Sequence, residues 1–144
     1  MSVRPYHISV SSTCPRSGWG DVTIDDERIL KIILELERVR GRRMMFMGSN
    51  SSSATSTFLL GFESACFIFG LTLPYKYRQQ VAEERGWSPS AEAWSLSEMR
   101  ERGLTDEAIA DEILSIDIAA WRRMAEANAA RHCVQPAPNA GVNK

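Results

Sequence analysis

The chain has 144 residues, 44% of them apolar and 24% charged, with a formal net charge of −1. A chain of this length suits one domain that buries enough surface to fold without a metal or a disulfide. The near-neutral charge gives no support to sequence-independent nucleic-acid binding, which needs many cationic contacts to phosphate.

"YHISVSS" (Tyr6–Ser12) alternates and is rich in β-formers, with Tyr6, Ile8 and Val10 on one face. This pattern predicts a strand. "TCPRSGWGD" carries a proline and two glycines and reads as a loop, and "DVTI" as a short second strand. Asp25 then caps a helix with Asp26 and Glu27 in its first turn, where the helix dipole favours negative charge. Ile29, Ile32, Ile33, Leu36 and Val39 form its stripe. Leu30 and Leu34 widen that stripe and predict packing on more than one side. Gly41 is placed to end the helix. "MMFM" (Met44–Met47), apolar and short, reads as a buried strand.

The Ser-rich stretch "GSNSSSAT" (Gly48–Thr55) follows, then an apolar segment, Ala54–Phe69. On a helix, Phe58, Phe62, Ala65 and Phe69 share a face, with Ser56, Glu63 and Ser64 towards the other; a hairpin is the alternative. The apolar run Phe58–Leu73 is broken by Glu63, Ser64 and two glycines, too short and too polar for a span of about 20 apolar residues. Pro74 opens a short helix that ends at Gly86, and Ser88-Pro89 opens another that ends at Gly103. Thr105 caps a long final helix with a stripe of Ile109, Ile113, Ile116, Ala120 and Met124, to which Trp121 adds bulk. Tested as a helix-turn-helix, Gly103–Met124 lacks the glycine turn, and one continuous helix fits its spacing better. The tail "QPAPNAGVNK" has two prolines and little apolar content, which predicts disorder over 134–144 beyond a single globular domain, 1–133.

The order of elements predicts an α+β domain, or an α/β one: a small N-terminal sheet of two or three strands with a crossover helix, followed by a helical C-terminal half. In such a sheet the loops after the two main strands emerge at one edge, where open α/β sheets bind ligands. Arg16, Ser49, Asn50, Ser51 and Ser52 are therefore candidates to bind an anionic small molecule, a nucleotide or phosphate, at a helix N-terminus. No GxxxxGK[ST] or GxGxxG fingerprint accompanies them. Glu63, a carboxylate among phenylalanines, is the candidate acid or base.

The two histidines, His7 and His132, and the three cysteines, Cys14, Cys66 and Cys133, have no metal-ligand or CxxC spacing. No metal and no cofactor are expected, Cys66 reads as a buried small hydrophobe, and the cysteine usage suits a reducing cytoplasm. The N-terminus lacks the apolar core of a signal peptide, and no membrane partner is expected. "RVRGRR" (Arg38–Arg43) is a basic cluster that offers a nucleic-acid contact or complements a helix C-terminus. Trp94, Trp121 and Met124 belong to an aromatic-rich helical half, and are the candidate interface residues.

With so little catalytic chemistry, the sequence points to a protein-interaction module of the inhibitor, immunity or regulator type, self-associating or bound to another protein, rather than an enzyme. Binding of, or simple chemistry on, an anionic small molecule is the alternative, and nucleic-acid binding through residues 38–43 the second.

Overall fold

The structure is a computed structural model that describes residues 24–88 and 94–134. Its elements are six helices: α1 (Ile24–Gly41), α2 (Arg43–Met47), α3 (Ser52–Ile68), α4 (Tyr75–Glu84), α5 (Leu96–Glu101) and α6 (Asp106–Val134). No strand occurs among the described residues, so the α+β expectation gives way to a helical, bundle-like fold. The strand expected at Tyr6–Ser12, most of "DVTI", Arg16, His7, Cys14 and the tail from residue 135 lie outside the described residues.

The strand expected at Met44–Met47 is helix α2. Methionine favours helix, and the segment holds no β-branched residue. Only Arg42 separates it from α1, and its amide donates to the Val39 carbonyl at 3.0 Å. Gly48, at φ 67°, closes α2 in the left-handed conformation that glycine adopts without strain. Nor is the segment buried: Met44, Met45 and Phe46 are 58%, 75% and 38% exposed.

Ala54–Phe69 is helical rather than a hairpin. Ser51 is its N-cap, accepting from the Ala54 amide at 3.1 Å. A Schellman turn ends it: Leu71 N–H donates to the Cys66 carbonyl (2.9 Å) and Gly70 N–H to that of Phe67 (3.0 Å). The chain leaves α4 the same way, with Trp87 N–H on the Ala82 carbonyl at 2.9 Å. In both turns the residue after the glycine, Leu71 or Trp87, falls back into the core. The α3 face turned inward carries Thr55, Leu59 and Cys66. Phe58 and Phe62 stack beside it with centroids 5.8 Å apart, while Ala65 and Phe69 face outward. The helix expected from Pro89 is helical only from Leu96 among the described residues.

α6 is the hub. α1, α3, α4 and α5 all pack on it. Ile109, Ile113, Leu114, Ile116, Ile118 and Trp121 are buried over about half of its circumference, a face broad enough for several neighbours, while Arg122 and Glu126 lie on the solvent side. Its stripe is wider than one neighbour can cover because three long helices cover it. α1 buries Ile29, Ile33, Leu36 and Val39 against it, but Leu30 and Leu34 are 46% and 68% exposed, so α1 packs on one side only. Thr105 caps α6 as expected, its hydroxyl accepting from the Ala108 amide at 3.2 Å.

Candidate functional site

Three polar clusters occupy the positions that the sequence offers for chemistry, and each is closed by contacts within the chain.

The first lies at the N-terminus of α3. Ser49, Asn50, Ser51 and Ser52 lead into the helix, where free amides attract anions. The anion there is Asp106, from the first turn of α6. It accepts the Ser52 amide at 3.0 Å on one oxygen and the Ser52 hydroxyl on the other. Arg100 approaches the same hydroxyl at 3.3 Å, and Ser49 Oγ accepts from the Ser51 amide at 3.1 Å. The Ser52 hydroxyl, then its amide, hold the Asp106 carboxyl below the usual carboxylate range. A carboxylate of the chain thus takes the amide that a bound phosphate or carboxylate needs. Arg16 lies outside the described residues, so the geometry does not join it to this loop.

The second cluster surrounds Glu63. Its Oε1 accepts from Arg78 Nη1 at 3.1 Å, on the polar edge of α3 that faces α4. Arg78 is itself buried and grips Asp117 of α6 with both prongs, Nε to Oδ1 at 2.8 Å and Nη2 to Oδ2 at 3.0 Å. Trp94 Nε1 donates to the same Asp117 Oδ1 at 3.0 Å, and the Arg78 guanidinium lies 5.8 Å from the Trp94 ring centroid. Burial alone pushes the Arg78 pKa down, but hydrogen bonds and charge from Asp117, then Glu63, more than offset this and hold it above its ordinary value. Glu63 is therefore the outer ligand of a structural cation rather than a carboxylate isolated among phenylalanines. Nearby, burial pushes the Cys66 thiol up, away from the thiolate form that reacts.

The third is the basic cluster, 38–43. Arg40 forms a bidentate pair with Asp111 (2.9 and 2.7 Å) and Arg43 meets the same carboxylate at 2.8 Å. Arg40, then Arg43, hold Asp111 below the usual range against the opposing effect of its partial burial. Arg38 pairs with Glu35 at 3.6 Å and lies over the Phe46 ring. Two of the cluster's four arginines thus join α1 and α2 to α6.

The expected interface tryptophans are core residues: Trp94 is 5% and Trp121 1% exposed, with Met124 half-buried. The large apolar side chains left at the surface are not the ones the sequence offers as interface residues. Large apolar side chains are exposed on α1 (Leu30, Leu34), on α2, and at Leu60, Phe67, Ile68 and Phe69 of α3 and its C-cap. The available signal was composition: α3 contains one charged residue in seventeen, and that residue, Glu63, is engaged by Arg78. Likewise Asp117, between Ile116 and Ile118, is a lone acid in an apolar helical run, which marks it for a buried partner.

Among the described residues, no three His, Cys, Asp or Glu side chains are grouped to hold a metal ion, and no helix is long and apolar enough to cross a membrane. Compared with protein-family models, curated proteins and solved structures, the chain matches none.

Three outcomes follow from these clusters. Asp117→Ala leaves the Arg78 charge buried without its main partner and lowers unfolding free energy by about 3–5 kcal/mol in urea titrations. Glu63→Gln, at a half-exposed site, changes it by less than about 1 kcal/mol. For Asp106 the native pKa is depressed, so the unfolded chain binds the proton more tightly. Its stabilisation is complete above the unfolded carboxylate value and is lost as pH falls through the native one. Asp106→Ala therefore lowers Tm at neutral pH and flattens the acid limb of Tm against pH, as read by circular dichroism.

Proposed function

We propose that the protein is a protein-recognition module: a helical scaffold that presents apolar side chains to another polypeptide. One observation carries this reading. Ten large apolar side chains are exposed among the described residues, and nine of them lie between Leu30 and Phe69, on α1, α2 and α3; Tyr75 is the tenth. Scattered exposed apolar residues are normal, but neighbouring ones on one helix face, such as Leu60, Phe67 and Ile68 on α3, mark an interaction surface. The recognition elements are then α1–α3, and the tryptophan-rich half supplies the rigid support.

The engagement of Ser52 by Asp106, and of Arg40 and Arg43 by Asp111, leaves less support for an anionic ligand or for nucleic acid. Both would have to displace a carboxylate of the chain.

The test is site-specific photo-crosslinking in cells, with a photoreactive residue at Phe67, at Met45 and, as a control, at the exposed Glu126 of α6. The expected result is a covalent adduct to a polypeptide, a second copy or a different chain, from Phe67 or Met45 above the Glu126 background. Absence of any such adduct from folded variants overturns the reading.

A further inference from the structure

The outer face of α3 has features that fit one occupant. Thr57, Leu60, Gly61, Ser64, Ala65, Phe67 and Ile68 are all exposed and none is charged. In a chain with 24% charged residues, an exposed helical arc of about three turns without one is unusual. Leu60, Phe67 and Ile68 are 55%, 69% and 78% exposed. Between them the residues are small, and a Cβ placed on Gly61 meets nothing within 4 Å.

Resting on the recognition reading above, we infer that this face docks on the same face of a second copy of the chain, the two α3 helices antiparallel about a twofold axis at Ser64. The register is self-complementary. Leu60, Ser64 and Ile68 lie one turn apart along a single ridge. With Ser64 on the axis, Leu60 meets the partner subunit's Phe67, and Gly61 leaves a hole for the partner subunit's Ile68. Each contact occurs twice, as an isologous interface requires. Antiparallel helices oppose their dipoles favourably, and a face without charge brings no like charges together, which a self-pairing surface must avoid.

The area is also adequate. Leu60, Phe67 and Ile68 offer about 400 Å² of surface per copy, and the small residues between them raise this to roughly 600 Å². Two such faces bury up to about 1,200 Å², at the lower edge of the range of specific interfaces. Glu63 stays outside the contact, held by Arg78 at 3.1 Å.

Sedimentation of the purified full-length chain across micromolar concentrations tests this. The expected species has twice the 16.1 kDa chain mass, with an affinity that salt does not weaken. Ser64→Asp sets two like charges at the axis and weakens the dimer by about tenfold or more, while Ser64→Ala keeps it. Ser53→Asp, which adds the same charge in the first turn of α3 outside the footprint, also keeps it. Circular dichroism confirms that each variant folds, and Ile68→Glu serves if Ser64→Asp does not. A dimer indifferent to both substitutions, or a monomer at every concentration, overturns the inference. In the monomer case, a photoreactive residue at Ile68 identifies what covers the face. An adduct with residues 1–23 of its own chain, or with a different protein, excludes the second copy; the different protein leaves the recognition reading standing. No adduct from Ile68, Phe67 or Met45 removes both.

Discussion

A single buried carboxylate organises the centre of this protein. α6 turns a broad apolar face to its neighbours, and Asp117, 1% exposed, interrupts it. A charge in that position is costly unless its lone pairs are taken by a cation and by further donors. The chain meets the requirement from two directions, with the fork of Arg78 from α4 and the indole N–H of Trp94 from the segment before α5. Arg78 has a donor to spare, which reaches Glu63 on α3. One polar knot thus fixes α3, α4 and the approach to α5 against one point on α6. Aliphatic packing alone tolerates a slide or rotation of helices more readily than paired, directional bonds do.

Four further ion pairs repeat this economy nearer the surface. Asp111 joins α6 to Arg40 of α1 and Arg43 of α2, Glu37 of α1 reaches Arg122, and Arg85 bridges α4 to Glu112. Each links a peripheral helix to the hub. Side chains that look available for ligand work in the sequence are thereby committed to holding helices in place. α3 carries almost none of this traffic on its outer side. The contrast between a surface laced with charge pairs and one uncharged helical face is the physical ground for assigning recognition to α3.

What the sequence shows and what it hides follow the range of the forces involved. Local signals were legible: the acidic first turn of α1, the Thr105 cap, the close of α4 at Gly86, and a helix over Ala54–Phe69. "MMFM" misleads because four apolar residues have no periodicity to read, and their state depends on whether a strand exists nearby to pair with them. The long-range choices were opaque. Trp94 and Trp121 look like interface residues until three helices are known to enclose α6. Arg78 and Asp117 are 39 residues apart, and nothing in the sequence near Arg78 names its partner. Asp106 reads as a favourable charge at its own helix start, while its carboxylate also closes the start of another helix.

The central place of α6 has a consequence for biosynthesis. Among the described residues it follows the other helices in chain order, yet each long helix before it packs its apolar stripe on α6. The Arg40–Asp111 contact closes a separation of 71 residues and Arg122–Glu37 one of 85. A nascent chain emerging from the ribosome at about 5–20 residues per second therefore has no core to form until α6 has cleared the exit tunnel. Until then the stripes of α1, α3 and α4 lack the surface that buries them in the folded chain.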